Sequence, residues 1–210
     1  VAVGGSMSYN VHVKWLNLIY PIVVNMPGVH NVLNSLSVIA VALECDGKIE
    51  DIARGSANFH GVGRRCQHYP EIQHAGKTAL LIDDYGHHPT EIKATLQAVR
   101  EKYPHGKYKV IAVFQPHLYS RTKLLLDEFA SSFSDADSVC IMPIYASREK
   151  DDGTVSSLDL VEKTHNAIYV ESFEEIQKYV LNNPHYNTVL ITIGAGDIYT
   201  FHTTLEGVTK

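Results

Sequence analysis

The sequence predicts an α/β protein with a doubly wound, mainly parallel sheet, and two observations carry this prediction. Apolar runs alternate with helical patterns over about residues 64–210. These runs are continuously apolar, which is typical of strands in a sheet that is covered on both faces. Because connections between parallel strands are right-handed, the alternation winds helices onto both sides of the sheet.

Five apolar runs are predicted as strands, and four helical patterns lie between them. The strands are Thr78–Ile82, Val110–Phe114, Ser138–Met142, Ala167–Val170 and Thr188–Ile193. The helices are Pro89–Tyr103, Ser120–Phe133, Ser157–Thr164 and Phe173–Leu181. The helical assignments depend on apolar residues that recur at helical spacing. A last helix is expected after Gly196.

The first 62 residues have a different organisation. A β-like stretch spans Asn10 to Val24, followed by predicted helices from His30 to Cys45 and from Ile49 to Asn58. One β-like stretch and two helices cannot close a hydrophobic core by themselves. We therefore expect residues 1–62 to be the C-terminal end of one domain, and residues 63–210 to form a second domain.

Composition and charge limit the class of protein. Of the 210 residues, 45% are apolar and 20% are charged, which is ordinary for a soluble globular protein. The net charge of −5 argues against nucleic-acid binding. No apolar run reaches membrane-spanning length, and the first residues lack a signal-type core. Three scattered cysteines are typical of reduced thiols, so we expect a cytosolic protein without membrane or nucleic-acid partners.

Polar residues gather where four of the predicted strands end. The segments are Asp83–His88, Gln115–Arg121, Pro143–Glu149 and Gly194–Asp197. In a parallel sheet the carboxyl ends of the strands meet at one rim, where ligands bind and helix N-termini present free N–H groups to anions. The four segments therefore predict a cleft for an anionic nucleotide and a zwitterion.

Two of these segments contain candidate ligand-binding residues. Asp84 lies nearer the rim than Asp83 and is the better candidate to bind a ribose or an amine. Arg121 lies in the first turn of a helix, where the macrodipole disfavours a cation. This placement favours a bidentate contact with a carboxylate, although a surface ion pair with Asp127 or Glu128 is the alternative.

Metal binding is the less favoured interpretation of His87-His88. Adjacent residues in a turn point in different directions, and no third ligand has suitable spacing. We therefore expect hydrogen bonds to a substrate and no metal site. Two further groups stand out: His30, Asn31 and Asn34 exceed what helix capping needs, and Arg64-Arg65 follows two glycines where a phosphate can reach it.

Five ordered motifs resemble those of the Mur ligases: Asn25–Asn34, Gly61–Arg65, Asp83–Glu91, Gln115–Thr122 and Gly194–Asp197. The version of the third motif resembles that of the members that join L-alanine to UDP-N-acetylmuramate. These enzymes have a UDP-sugar-binding domain, a central ATPase domain and a C-terminal Rossmann-like domain. The resemblance implies that residues 1–62 are the remnant of the ATPase domain and residues 63–210 are the Rossmann-like ligase domain.

The resemblance also implies two groups of binding residues. The nucleotide-binding group is His30, Asn31, Asn34, Arg65 and Asp84, in which the first three surround the adenine and Asp84 holds the ribose. Arg64 is the second choice for the arginine that approaches ATP. The amino-acid-binding group is Tyr85, His87 and Arg121. One departure is Leu118, where many relatives have arginine, so a second cationic contact is in doubt.

The implied reaction uses UDP-N-acetylmuramate, L-alanine and ATP as substrates, with Mg²⁺, in the bacterial cytoplasm. The sequence contains no Gly-x-x-x-x-Gly-Lys-[Ser/Thr], so the phosphate-binding loop, the catalytic residues and the main Mg²⁺ ligands are expected outside this chain. We expect the chain alone to be inactive. Three alternatives stay open: a sister ligase that attaches a preformed peptide, a non-catalytic nucleotide- or amino-acid-binding domain, and a dehydrogenase. A dehydrogenase is disfavoured because no Gly-x-Gly-x-x-Gly follows the first strand.

Overall fold

The computed structural model describes residues 2–3, 6–26, 28–74, 77–182 and 187–204. The chain divides into two compact units, Val1–Val62 and Gly63–Lys210.

The first unit contains a three-stranded antiparallel sheet and two helices. The strands are β1 (Ala2–Val3), β2 (Ser6–Val13) and β3 (Leu18–Val24), in the order β1-β2-β3. The helices are α1 (Val29–Glu44) and α2 (Ile49–Asn58). Both predicted helices are confirmed, and the predicted β-like stretch is a hairpin. Its strands separate because a short 3-10 helix, Lys14–Leu16, ends at a left-handed Asn17.

The apolar face of α1 is only partly covered within this unit. Ile39 is 2% exposed and packs with β2 and β3 residues such as Ile22. Leu33, on the predicted apolar stripe, is 59% exposed. The small sheet and α2 therefore bury one part of the stripe and leave the rest at the surface.

The second unit is built on a six-stranded sheet in the order β4-β5-β9-β6-β7-β8. The strands are β4 (Gln67–His74), β5 (Lys77–Asp84), β6 (Lys109–Phe114), β7 (Ser138–Ile141), β8 (Ala167–Tyr169) and β9 (Asn187–Ile193). From β5 to β8 all neighbours are parallel, whereas β4 pairs antiparallel with β5. The predicted α/β class with a mainly parallel sheet is confirmed.

The antiparallel edge strand β4 was not predicted. Its sequence is polar and contains Pro70, which cannot donate to a strand ladder and is tolerated at a sheet edge or a bulge. The register with β5 shifts between Tyr69 and Ile72, so the proline lies within an irregular edge. A polar strand with a proline gives neither of the apolar patterns that identify a strand.

The helices of this unit are α3 (Pro89–Lys102), α4 (Tyr119–Leu124), α5 (Leu126–Ala130), α6 (Ser157–Lys163), α7 (Phe173–Leu181) and α8 (Phe201–Thr204). Most agree with the predicted positions. The continuous helix predicted for Ser120–Phe133 is wrong, because Leu125 leaves the helical region at φ −112°, ψ 26° and separates α4 from α5. A 3-10 turn, Ile198–Thr200, leads into α8.

Helices cover both faces of the sheet, which explains why its strands are continuously apolar. On one face Ile82, Phe114 and Ile191 are fully buried with Leu96 of α3 and Phe129 of α5. On the opposite face the buried cluster contains Leu81, Ile111, Leu190, Ile176 and Phe201. The alternate residues of each strand thus belong to two cores.

Candidate functional site

Backbone hydrogen bonds join the four polar segments at the carboxyl ends of the strands. Gly194 N–H donates to the carbonyl of Asp84 at 3.0 Å, and Gln115 N–H donates to that of Ile193 at 3.0 Å. On the other side, Tyr145 N–H donates to the carbonyl of Pro116 at 2.8 Å. The rim predicted from the strand ends is therefore a continuous surface of the second unit.

Arg64 lies in this rim as a clamp on the turn that follows β9. Its Nη2 donates to the carbonyl of Gly194 at 2.5 Å, and its Nη1 to that of Gly196 at 3.3 Å. The guanidinium also lies 4.9 Å from the ring centre of Tyr85 and 4.3 Å from that of Tyr199. With donors on both terminal nitrogens occupied and two aromatic rings against its guanidinium, Arg64 is poorly placed to bind a phosphate.

Arg65 differs from its neighbour in exposure. Its side chain is 48% exposed, and its Nη1 lies 3.7 Å from Oε1 of Glu91. Its guanidinium also lies 5.7 Å from the ring centre of Tyr85. A long ion pair and a distant ring contact at this exposure hold a side chain only weakly. Of the two arginines, Arg65 is therefore the one whose guanidinium a ligand can reach, and its role in nucleotide binding stays a prediction.

Asp84 is buried at the end of β5, with 3% of the residue exposed. Its Oδ2 accepts the N–H of Cys66 at 2.9 Å, and its Oδ1 accepts that of Gly86 at 2.8 Å. Burial raises the pKa of Asp84, and the two backbone donors partly offset that rise. The predicted ribose contact would thus join a carboxylate that already organises the turn.

Glu91 links the loop after β5 to the first turn of α3. Its Oε2 accepts the N–H groups of His87 and His88, at 2.9 Å and 3.2 Å. Although burial opposes ionisation, these backbone donors and the charges of His87 and Arg65 hold the pKa of Glu91 below its usual range. His88 caps the helix, since its Nδ1 accepts the N–H of Thr90. The capping contact gives His88 a structural role, while His87 stays at the rim.

Tyr85 and His87 form the aromatic part of the rim. Their rings meet edge to face with centres 5.4 Å apart. His87 Nδ1 lies 3.2 Å from the carbonyl of Tyr85. A carbonyl only accepts, so Nδ1 carries the hydrogen and Nε2 remains the acceptor of the ring when the ring is neutral.

His117, which sequence reasoning placed in the rim segment but not among the site residues, continues this aromatic group. Its ring centre lies 6.4 Å from that of His87 and 5.6 Å from that of Tyr145, on which it stacks. Burial, with the charges of Arg121, His87 and Arg148, holds the pKa of His117 below its usual range. Its position directly after Pro116 at a strand end is the only sequence signal that could have suggested it.

Two buried polar atoms at this place have no hydrogen-bond partner in the part of the chain that the structure describes. They are Nδ1 of His117 and Nη1 of Arg121. Among the described residues Arg121 forms no ion pair with Asp127 or Glu128, the surface alternative considered for it, and Asp127 pairs with Lys163 at 2.8 Å. Buried polar atoms are nearly always satisfied, so one unpartnered nitrogen on each of these two side chains makes this place the candidate for ligand binding.

Leu118, between Pro116-His117 and α4, does not contribute to the polar surface. It is 8% exposed and has a φ of 73°, which is uncommon for a residue other than glycine. Its N–H donates to the carbonyl of Tyr145 at 3.0 Å, and its carbonyl accepts the N–H and Oγ1 of Thr122. The unusual backbone therefore fixes the segment from which Arg121 projects.

Gly196 closes the rim beneath Tyr145. A Cβ at this position would lie 2.8 Å from Cγ of Tyr145 and would also collide with Oε1 of Gln115. Gln115 in turn donates through Nε2 to Oδ1 of Asp197 at 2.8 Å and accepts the N–H of Ile198. The glycine thus permits the close approach that joins the Gln115 and Gly194–Asp197 segments.

The remaining predicted nucleotide-binding residues lie in the first unit. His30 and Asn31 stand in the first turn of α1 and are half-buried, and Asn34, one turn further, is exposed. The five other predicted site residues belong to the second unit, where the rim brings them into one surface. They are Arg65, Asp84, Tyr85, His87 and Arg121.

In the described ranges, no group of three or more histidine, cysteine, aspartate or glutamate side chains is arranged to hold a metal ion. Within the same residues, no helix combines the length and apolar character that crossing a membrane requires.

Comparisons with known proteins agree with these motifs. The family model described as "Mur ligase, glutamate ligase domain" matches residues 64–196. The UDP-N-acetylmuramate–L-alanine ligase of Lachnospira eligens is 46% identical over 182 residues, which are 85% of this chain and 38% of that protein. The ligase of the same name from Clostridium acetobutylicum is 44% identical over 199 residues, 93% of this chain and 42% of that protein.

A solved structure gives the same result. The UDP-N-acetylmuramate-alanine ligase of Thermotoga maritima superposes with a TM-score of 0.65 at 30% identity, covering 87% of this chain and 38% of that one. The chain thus spans about two fifths of the length of the relatives it matches.

Proposed function

The chain belongs to the Mur ligase family, and on this premise we propose that it supplies the amino-acid- and adenosine-binding part of an ATP-dependent ligase. The complete enzyme would join L-alanine to UDP-N-acetylmuramate in bacterial peptidoglycan precursor synthesis, in the cytoplasm. Residues 63–210 would be its C-terminal ligase domain, and residues 1–62 the end of its central ATP-binding domain. This chain alone is expected to be inactive.

The observation that carries the proposal is the pair of buried, unpartnered nitrogens on His117 and Arg121. A guanidinium offers a planar, two-donor fork that matches a carboxylate. An α-carboxylate held by Arg121 would place the amine of the amino acid over the aromatic rim of Tyr85 and His87. Arg65, the more exposed of the two arginines, is the proposed contact to ATP, and Asp84 the proposed contact to its ribose.

In the proposed reaction, ATP transfers its terminal phosphoryl group to the sugar-acid carboxylate and ADP leaves. The free amine of alanine then attacks the acyl carbon, the amide C–N bond forms, the bond to phosphate breaks, and the amine loses a proton. This chain would orient the amine and exclude water, and correct orientation lowers a barrier by about 7–11 kcal/mol in favourable cases. Among the described residues no three or more histidine, cysteine, aspartate or glutamate side chains are arranged to hold a metal ion, so no step is assigned to a metal held here.

The test compares L-alanine with L-alaninamide in the complete ligase, by release of phosphate with UDP-N-acetylmuramate and ATP. The wild type should strongly prefer alanine, and Arg121→Ala should lose most of that preference. Lys123→Ala is the matched control, because Lys123 is an exposed cation on the same helix. A preference that survives Arg121→Ala would place the carboxylate elsewhere, and utilisation of a peptide in place of alanine would favour the sister ligase.

A further inference from the structure

A chain of three buried side chains lies beneath the rim and reaches no proposed ligand. Oγ1 of Thr192 lies 2.6 Å from Oδ1 of Asp83 and 2.8 Å from Nε2 of His202. All three residues are completely buried. Burying three polar side chains in an apolar core is costly unless each is satisfied. A role beyond packing would explain why these polar side chains are buried together.

The direction of each hydrogen bond follows from the chemistry of the groups. Asp83 is paired with Arg64 through Oδ2, and an ionised carboxylate only accepts, so the hydroxyl of Thr192 donates to Oδ1. Oγ1 of Thr192 must then accept from His202, which places a hydrogen on Nε2 and leaves Nδ1 as the unpartnered acceptor among the described residues. His202 also stacks on Tyr69, with ring centres 4.4 Å apart. Burial lowers the pKa of His202 to about 4, in keeping with a neutral ring.

On its other oxygen, Asp83 holds the guanidinium that forms the clamp. Nε of Arg64 donates to Oδ2 of Asp83 at 3.1 Å, and the remaining nitrogens donate to the carbonyls of Gly194 and Gly196. The same guanidinium packs against Tyr85. The chain of bonds thus runs without interruption from α8, through the core of the sheet, to the turn and the ring at the rim.

We propose that Thr192 is a positioning residue, whose hydroxyl fixes the Asp83 carboxylate so that Arg64 holds the Gly194–Gly196 turn and Tyr85 in place for the amino acid. Without the hydroxyl, Oδ1 of Asp83 is a buried acceptor with no strong donor, and the carboxylate rotates to relieve it. The link to the amino acid rests on the proposed function, whereas the positioning of Arg64 does not.

The first experiment uses the present chain and does not depend on activity. The probe is the exchange rate of the Arg64 Nε–H in ¹⁵N NMR spectra, assigned by its loss in Arg64→Lys. Thr192→Val, which removes the hydroxyl at constant shape, should accelerate exchange about tenfold or more, and Thr192→Ser should restore it. Thr164→Val is the control, because Thr164 is also a buried threonine, 6% exposed, whose hydroxyl bonds to the carbonyl of Leu160.

His202→Phe gives an independent variant, since it keeps a ring against Tyr69 but removes the N–H that reaches Thr192. It should also accelerate exchange of the Arg64 Nε–H. Exchange in Thr192→Val that equals the wild-type rate, or Thr192→Ser and Thr192→Val that behave alike, would overturn the positioning role.

The second experiment measures the kinetics of the complete ligase. Thr192→Val should raise the KM for L-alanine about fivefold or more while the KM for ATP changes by less than about twofold, and Thr192→Ser should resemble the wild type. Faster exchange with an unchanged KM for alanine would uphold the positioning of Arg64 and overturn the assignment of this rim to the amino acid. Failure of the two proposals is therefore distinguishable.

Discussion

The backbone N–H of Cys66 donates to Oδ2 of Asp84 across 2.9 Å, so the segment before β4 is tied to the end of β5 by a buried carboxylate. The second oxygen of Asp84 accepts the N–H of Gly86 and forms the turn on which Tyr85 is presented. Cys66 itself has a φ of 45°, a left-handed conformation that such a bond helps to maintain. Asp84 therefore supports the rim from beneath.

Replacement of Asp84 by asparagine should destabilise the chain. An amide retains one acceptor oxygen and turns an NH₂ group toward a backbone N–H donor, which leaves buried donors unpaired at about 1–3 kcal/mol. Urea denaturation of Asp84→Asn measures this, with Asp152→Asn as control, because Asp152 also accepts a backbone N–H but is exposed. Equal losses in the two variants would show that burial is not the cause.

If Asp84 also binds the ribose of ATP, Asp84→Ala in the complete ligase should raise the KM for ATP more than the KM for alanine.

His202 should make the stability of the chain fall in mild acid. Its pKa is about 4 in the folded chain against 6.5 for the unperturbed ring, because burial disfavours the charged form. Between these values the unfolded chain binds more protons, so the stabilising contribution is complete above pH 6.5 and is lost as the pH falls toward 4. The loss amounts to about 3 kcal/mol.

The measurement is the free energy of unfolding at several pH values, in wild type and His202→Phe. The variant should lack this part of the acid dependence. Asp84 opposes it, because a carboxyl whose pKa is raised in the folded state gains stability as the pH falls, so only the difference between the two proteins is diagnostic. Parallel curves for wild type and variant would contradict the assignment to His202.

Gly196→Ala should destabilise the second unit by about 1–3 kcal/mol, because the added methyl group meets Gln115 and the ring of Tyr145. Gly63→Ala is the control, since a Cβ there lies at an ordinary 3.5 Å from Oε1 of Gln67. The urea transition followed by far-ultraviolet circular dichroism separates the two variants. A Gly196→Ala chain as stable as Gly63→Ala would mean that the turn moves freely away from Tyr145.

Arg100 should contribute far more to stability than the exposed ion pair of Lys163. Arg100 is 8% exposed and donates to the carbonyls of Asp135 and Tyr103 and to Oδ2 of Asp137. Arg100→Met removes the donor to both carbonyls and breaks the ion pair with Asp137, whose Oδ2 keeps only the N–H of Val110, and should cost about 3 kcal/mol. Lys163→Met, which removes an exposed bond to Asp127, should change the free energy of unfolding by less than about 1 kcal/mol.

Much of the fold was predictable because the pattern of apolar residues along the chain indicates which side chains are buried. The five predicted strands all form, and the end of β5 at Asp84 is where ionisable residues replace apolar ones. Strand order was not predictable, because which strands become neighbours depends on packing between distant segments. The edge strand β4 was not predicted because its polar sequence lacks the apolar pattern of a buried strand.

The location of the candidate site at the strand ends was predictable, but the orientation of its individual side chains was not. A run such as Arg64-Arg65 contains two identical side chains, and only the backbone decides which one turns inward. Arg64 has a φ of 61° and reaches Asp83, whereas Arg65 faces outward. Likewise, His117 resembles any histidine in a loop until stacking on Tyr145 and burial show that its Nδ1 has no partner in the described residues.

The position of β9 in the sheet has a consequence for synthesis of the chain. β9 lies between β5 and β6, so these two earlier strands do not pair with each other and depend on residues 187–193. On the ribosome, where chains grow at about 5–20 residues per second, both strands emerge with unpaired edges well before their shared neighbour. During that interval of several seconds these unpaired strand edges can aggregate or bind chaperones. A chain that is released before β9 is made would contain the pair β4-β5 and the strands β6-β7-β8 without the strand that joins them.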